Sequence, residues 1–287
     1  YQDMRSTATM IIRLSICTFS TIARNDKKFY GYYMYIHVKE EKMINKVFET
    51  GFDVLNKVRE TQQEQLDQAA KLIADCFLAH KTFYVTGSGH SHTLCEEFYG
   101  RAGGLAFVVP IMTSELTMTE HPTKSSFLER LSGYAAILAD LYDIEEGDVV
   151  LIASNSGRNA YPIEMAIEAR KRGASVIAIT NIAHSNAVSS RHESGKMLMD
   201  IADIVIDNCG VPGDCAVQME GVAAAVCPTS SMANTFIAQA ISVQCAYYIK
   251  EKGVTPPVFV SLNSEGTEHV NDEYFEKYTR MYKKARL

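Results

Sequence analysis

The sequence predicts an α/β fold, a three-layer αβα sandwich in which helices cover both faces of a parallel sheet. Apolar, β-branched runs of strand length occur at 83–85, 149–153 and 174–180, and segments with helical periodicity separate them. Turns rich in glycine and hydroxyl residues, at 87–91 and 154–159, follow the first two runs. Strands that feed helices through such turns are typical of parallel sheets buried on both sides.

The composition limits the classes of function. With 287 residues, 47% of them hydrophobic and 22% charged, the chain has room for one sizeable α/β domain or two small ones. A net charge of −6 argues against nucleic-acid binding, and no uncharged apolar run reaches the roughly 20 residues that a bilayer span needs. Seven cysteines without a CxxC pair indicate reduced, packed thiols. We therefore predict a cytoplasmic protein that does not bind membranes.

The amino-terminal part divides near Met43. Residues 1–42 show no sustained helical or strand period, and we predict that they are a leader or extension outside the fold. Between 43 and 80, apolar residues recur at spacings near three and four, which predicts one long or two consecutive amphipathic helices. Their apolar stripe packs either on the chain's own sheet or on a second copy of the chain.

The remaining elements follow in alternation. Further strands are predicted at 105–111, 202–207 and, at the sheet edge, 255–261. Helices are predicted after the first turn up to Gly100, at 127–142, from Pro162 to about 172, at 229–249, and in the charged tail from 265. The long polar segment 112–130 is predicted to be a functional loop with at most a short helix.

The two turns carry donors suited to an anion. Ser88, Ser91, Ser154 and Ser156, with the amides beside them, can surround a phosphate with hydrogen-bond donors. Because the carboxyl ends of parallel strands meet at one edge of a sheet, both turns are expected on the same rim.

These turns resemble those of the sugar isomerase (SIS) domain. The matching residues are Gly87-Ser-Gly-His-Ser91, Ser154-Asn-Ser-Gly-Arg-Asn159 and the strand 174–181, and the pattern is most similar to the phosphoheptose isomerases and N-acetylmuramic acid 6-phosphate etherases. The resemblance implies a flavodoxin-like sheet, a phosphorylated sugar as ligand, and a homodimer or homotetramer. It also implies a SIS domain at 43–253, followed by a carboxyl-terminal strand and a charged helical tail at 254–287.

The resemblance assigns binding residues by position. Ser91 matches the first-loop serine of the family, and the second loop matches at Ser154, Asn155, Ser156 and Asn159. Amide side chains donate to phosphate as hydroxyls do, so asparagine at two of these places preserves binding. A third group, Thr229, Ser230 and Ser231, falls near the helix start that closes the pocket in relatives.

The catalytic residues depart from the family's pattern. Arg101 stands where relatives carry an acid/base glutamate, and an arginine does not remove a proton at neutral pH. The replacement candidates are His90, Glu96 and Glu115, since isomerisation needs a base near neutral pKa. Four further side chains have expected roles outside catalysis: an ion pair between Glu97 and Arg101, a structural role for His92, and solvated positions for Glu120 and His121.

Two functions remain open from the sequence. The first is binding of a phosphorylated sugar followed by aldose–ketose isomerisation or a related transformation. The second is a non-catalytic phosphosugar-sensing or protein-binding module, which Arg101 favours. No metal-ligand spacing and no complete dinucleotide fingerprint occur, so neither a metal nor an organic cofactor is predicted.

Overall fold

A parallel sheet forms the centre of the computed structural model, which describes residues 42–267 and 269–279. Its strands are β1 Phe83–Gly87, β2 Val108–Ile111, β3 Val149–Ala153, β4 Ser175–Thr180 and β5 Ile204–Asp207. They lie in the order β2-β1-β3-β4-β5, and every neighbouring pair is parallel. This is the flavodoxin-like order, so the predicted fold class is confirmed.

Helices cover both faces of the sheet. One face packs against α2 Gln63–Leu78, α3 Thr93–Phe98 and α8 Ser230–Glu251, and α1 Met43–Thr61 packs on α8 and α2. The other face packs against α5 Tyr134–Leu141 and α6 Ala160–Lys171. Successive residues of a strand enter opposite layers, as Leu151 does on the first face and Val150 on the second. Both faces of the sheet are therefore apolar, which explains the continuous hydrophobic runs in the sequence.

Helix α6 begins and ends at the signals that the sequence predicts. Pro162 lies in its first turn, where a missing amide hydrogen costs nothing. Its last turn carries Arg170 and Lys171, whose charges suit a helix carboxyl terminus. Gly173 then takes a positive φ of 81°, which ends the helix and returns the chain to the sheet.

Three elements of the structure differ in extent from the elements predicted from the sequence. Strand β2 begins at Val108 instead of 105, because Leu105 pairs in an isolated antiparallel bridge with Val258. That bridge is all the described chain shows of the predicted edge strand at 255–261. The predicted helix 127–142 is divided into α4 Lys124–Leu128 and α5, because Gly133 adopts a positive φ between them.

Small elements complete the described chain. They are α7 Ile182–Asn186, the antiparallel hairpin of β6 Cys215–Val217 and β7 Val226–Pro228, and α9 Asp272–Thr279 in the charged tail. The hairpin was not predicted, because its strands have three residues each and are too short to show a period. The leader predicted at 1–42 lies, except for Lys42, outside the described residues.

The cysteines within the described ranges are free thiols, and Cys76, Cys95 and Cys245 are buried. Burial raises the pKa of Cys76 and of Cys95 to about 12, which keeps both thiols protonated and unreactive. No helix in the described part of the chain is long and apolar enough to cross a membrane.

Candidate functional site

The first loop links β1 to α3 through Ser88 and the 3-10 turn Gly89–His92. A side chain at Gly87 would place its Cβ 2.6 Å from the carbonyl oxygen of Ser91, so only glycine lets the loop fold back on itself here. The amide of Gly89 donates to the carbonyl of Leu116 at 2.9 Å. The loop is thereby attached to the segment that follows β2.

The second loop, residues 154–159, links β3 to α6. The amide of Ser154 donates to the Ile179 carbonyl at 3.0 Å, which ties the loop to β4. The hydroxyl of Ser154 accepts from the Gly157 amide at 3.2 Å, and the carbonyl of Ser156 accepts from the Ser185 hydroxyl at 3.0 Å. Ser154 therefore shapes its own loop, whereas Ser156 is fixed through its main chain.

The two loops meet at the carboxylate of Glu129, a half-buried residue just after α4. Ser88 Oγ donates to Glu129 Oε2 at 2.5 Å, and Asn159 Nδ2 donates to Glu129 Oε1 at 2.7 Å. Since β1 and β3 are adjacent and their following chains leave in opposite directions, this carboxylate lies at the switch point of the sheet, where open α/β folds bind ligands.

The main chain of Glu129 is also fixed. Its carbonyl accepts from the amide of Tyr161 at 2.9 Å. The hydroxyl of Tyr161, which is fully buried, shares a hydrogen bond of 2.6 Å with the hydroxyl of Thr86 in β1. Tyr161 thus connects the backbone of Glu129 to the centre of the sheet.

The surroundings of Glu129 shift the pKa of its carboxyl group in both directions. Burial raises the pKa of the Glu129 carboxyl, while the hydrogen bond from Ser88 and the nearby charges of Arg130 and Arg191 oppose that rise. The upward effect of burial is the largest. A carboxyl with a raised pKa both accepts and returns a proton more readily at working pH, which suits an acid/base role.

A hydroxyl and a guanidinium extend this cluster. Arg191 Nη1 donates to Asn159 Oδ1 at 3.0 Å, so Asn159 holds a cation on one side and a carboxylate on the other. The hydroxyl of Ser125 is buried without a hydrogen-bond partner in the described chain. It lies 3.8 Å from the place where a Cβ of Gly89 would be.

The predicted residues at the start of α8 are engaged elsewhere. The carboxylate of Asp214 accepts from the amide of Ser230 at 2.7 Å and from its hydroxyl at 2.9 Å. The hydroxyl of Thr229, which is fully buried, donates to the Asp214 carbonyl at 3.0 Å. Asp214 thus caps α8 in place of a ligand, and Ser231 lies on the same helical turn.

Asparagines connect that helix to the second loop. Asn208 Nδ2 donates to Asn155 Oδ1 at 3.0 Å and lies 3.4 Å from Asn234 Oδ1 on α8. Asn155, predicted to bind the sugar phosphate, therefore also holds the loop to the carboxyl edge of β5. The second loop therefore lies at the carboxyl edge of the sheet, where it was predicted together with the first loop.

The catalytic candidates from the sequence do not gather at Glu129. His90 is exposed, and Glu96, with 59% of its side chain exposed, faces His92 Nε2 at 3.4 Å. Glu115 is exposed beyond β2, where hydrogen bonds from its own amide and from Thr113 lower its pKa. In the described chain none of His90, Glu96 and Glu115 forms a hydrogen bond or ion pair with Glu129.

The residues with expected roles outside catalysis make contacts of their own. Glu97 forms the predicted ion pair with Arg101 and accepts from Gln239 Nε2 at 3.1 Å. His92 Nδ1 donates to the Gly89 carbonyl within the first loop. Glu120 and His121 are exposed.

Glu129, Ser125 and Arg191 were not predicted from the sequence. Glu129 lies within the predicted functional loop 112–130, but it also lies at the start of the apparent helix 127–142, where a charged residue is expected to face solvent. The pair Ser132-Gly133 was a turn signal inside that stretch, and it would have placed Glu129 in a linker. Within the described chain, no group of three or more metal-ligating side chains lies close enough together to hold a metal ion.

Comparisons with known proteins agree with the fold. The SIS domain family model matches residues 48–181. The UPF0309 protein of Halalkalibacterium halodurans is 43% identical over 227 residues, which are 79% of this chain and 94% of that protein.

Two solved structures are also similar. Phosphoheptose isomerase GmhA from Neisseria gonorrhoeae has 18% identity and a TM-score of 0.47, with 72% of this chain and 97% of that chain covered. The NanR protein of Vibrio vulnificus, complexed with ManNAc-6P, has 14% identity and a TM-score of 0.44, with 75% and 69% covered. From the SIS match and the identity to the H. halodurans protein, the chain belongs to the UPF0309 family and carries a SIS domain.

Proposed function

We propose that this protein binds a phosphorylated sugar at the carboxyl edge of its sheet and catalyses aldose–ketose isomerisation with Glu129 as the acid/base. The observation that carries the proposal is the Glu129 carboxylate, which accepts hydrogen bonds from both SIS loops at 2.5 and 2.7 Å. Its raised pKa adds to this, because isomerisation requires one group to remove a proton and to return it.

The chemistry assigns a role to each part of the cluster. The Glu129 carboxylate takes the proton from the carbon next to the sugar carbonyl, and the electron pair of that C–H bond forms the double bond of an enediol(ate). The same carboxyl then returns the proton to the neighbouring carbon, while the two oxygens exchange their proton. Asn159 Nδ2 can turn from Glu129 to the developing oxyanion, whose charge an amide donor stabilises.

The phosphoryl group belongs beside the base. Ser88 and Asn159 already donate to a carboxylate, so the predicted donors of the two loops left for phosphate are Ser91, Ser154, Asn155 and Ser156. The unpartnered hydroxyl of Ser125 is a further donor next to the first loop.

We also propose that the protein is a homo-oligomer, as relatives of the SIS type are expected to be. Helix α1 exposes Ile44, Phe48 and Phe52, four residues apart, with 65%, 60% and 63% of each exposed. Such a stripe at helical spacing suits a second copy of the same helix face. Light scattering on the wild type and on Phe48→Glu tests this, since the charge should lower the assembly mass.

The test of function is a screen followed by an isotope measurement. A thermal-shift screen over sugar monophosphates identifies ligands, and proton NMR in deuterated water then measures exchange at the carbons next to the carbonyl. Stabilisation with exchange supports the isomerase. Stabilisation without exchange or turnover would support the sensing module that Arg101 favours, and no stabilisation by any sugar phosphate would overturn phosphosugar binding.

A further inference from the structure

The arginines of the described chain divide into two groups. Each of Arg59, Arg101, Arg170 and Arg172 forms an ion pair with a carboxylate. Among residues 42–267 and 269–279, Arg130, Arg158 and Arg191 form none within 4 Å. Since exposed guanidinium groups commonly find a carboxylate on an acidic protein, three neighbouring arginines without one are an unusual group.

All three surround the Glu129 cluster. Arg130 follows Glu129 in the chain, and Arg158 precedes Asn159. Arg191 comes from the loop after α7, and it reaches the same place through two bonds: its amide donates to the Arg158 carbonyl at 2.8 Å, and its Nη1 donates to Asn159 Oδ1. Three separate segments thus place three arginines next to residues of the Glu129 cluster.

The charges in this group are not balanced. Burial and the nearby charges of Arg158 and Arg130 lower the pKa of Arg191, and Glu129 opposes that shift only in part. In addition, Arg158 Nε is buried without a hydrogen-bond partner in the described chain. A buried donor without an acceptor is costly, and a bound anion would supply one.

We propose that Arg130, Arg158 and Arg191 bind a second anionic group of the substrate, so that the preferred sugar phosphate carries an acidic group besides its phosphoryl group. This inference rests on the proposed function and names the substrate class of the same site. The serine loops supply neutral donors for one anion, whereas guanidinium groups pair side by side with carboxylate or phosphate oxygens. With Glu129 between the two subsites, the reacting carbons lie between the two acidic ends of the sugar.

Matched ligand pairs test the proposal by calorimetry. 6-Phosphogluconate and glucitol 6-phosphate differ only in a carboxylate against a hydroxymethyl group, and fructose 1,6-bisphosphate and fructose 6-phosphate differ only in a second phosphate. We expect wild-type protein to bind at least one doubly acidic member about tenfold or more tightly than its partner, which is the gain of a charge-assisted hydrogen bond.

The double variant Arg158→Gln/Arg191→Gln should lose that preference and keep its affinity for the singly charged member. Arg59→Gln removes a surface charge elsewhere and should preserve the preference, while a thermal melt confirms that each variant is folded. Equal loss for both members of a pair would assign the arginines to the phosphoryl group itself and overturn the proposal. Equal wild-type affinity within both pairs, or no binding of any of the four ligands, would also overturn it. The proposed function itself is overturned only if no sugar phosphate in the thermal-shift screen stabilises the protein.

Discussion

A buried carboxyl group, that of Asp148, lies at the amino ends of the strands, and the half-buried carboxyl group of Glu129 lies at their carboxyl ends. Different kinds of hydrogen-bond donor hold the two groups. At the amino edge, Asp148 accepts from the backbone amides of Thr82 at 2.8 Å and Glu145 at 2.9 Å. At the carboxyl edge, Glu129 accepts from the side chains of Ser88 and Asn159. Burial raises the pKa of both carboxyls.

The two carboxyl groups differ in how freely their hydrogen-bond donors can move. The backbone amides of Thr82, just before β1, and of Glu145, in the segment before β3, are held in place by the fold and stay with Asp148. Hydroxyl and amide side chains rotate on fast time scales, so Ser88 and Asn159 can release Glu129 to a ligand. A raised pKa alone therefore does not mark a functional carboxyl, whereas the mobility of its donors distinguishes the two.

Glu129→Gln should have the strongest effect of the variants below. Glutamine keeps the size of the side chain but cannot take up the proton, so exchange on the responsive sugar phosphate should fall by about 10²- to 10⁴-fold. Proton NMR in deuterated water measures it. Glu64→Gln, an exposed position on α2, is the matched control and should exchange at the wild-type rate. Wild-type exchange in Glu129→Gln would remove this residue from the mechanism.

Asp148→Asn should affect stability instead of activity. Asparagine leaves one of two buried amides without its acceptor, so the free energy of unfolding should fall by about 1–3 kcal/mol. Urea titration measures this change, and the affinity for the sugar phosphate should stay the same. The control is Asp140→Asn, which breaks an exposed pair with Arg172 and should cost less than about 1 kcal/mol. A loss of sugar-phosphate binding in Asp148→Asn would contradict the distinction between a structural carboxyl group, Asp148, and a functional one, Glu129.

Ser156→Ala should weaken sugar-phosphate binding by on the order of 1–2 kcal/mol, since a hydrogen bond to a charged group is lost. Calorimetry measures the affinity of this variant and of Ser264→Ala, an exposed serine far along the chain in the turn before α9. Unchanged affinity for Ser156→Ala would mean that the second loop does not hold the phosphoryl group.

The pH dependence of stability should show a weaker effect. The pKa of Glu129 is raised on folding, so its contribution to stability is present below its ordinary value of 4.5 and is lost as the pH rises through the folded value. Relative to wild type, Glu129→Gln should therefore gain stability as the pH rises from 4.5 through the folded pKa of Glu129. Urea titrations across this range check the sign. A relative loss would mean that the hydrogen bonds to Glu129 outweigh its burial.

Local patterns predicted the frame of the site but not its centre. The strands before both loops are buried on two faces, so runs such as 149–153 identify them from the sequence alone. Ser88 and Asn159 were found because they lie in those loops. Glu129 was not, because its role depends on contacts with residues 41 and 30 positions away, which no periodicity reports.

The arginines near Glu129 were missed for the same reason. Arg191 reaches Asn159 from a polar, irregular segment whose path over α6 is set by tertiary contacts. Thr229 and Ser230 show the opposite error: helix-start chemistry correctly indicated an anion, but the chain supplies its own in Asp214.

The link from Glu129 through Tyr161 to Thr86 fixes the main chain of Glu129 and leaves its side chain free to rotate. Rotation about the side-chain bonds of Glu129 can move its carboxyl group over a short arc while the surrounding residues keep their positions. Two adjacent carbons of a sugar lie within such an arc, so a proton could be carried from one to the other without any lid having to open.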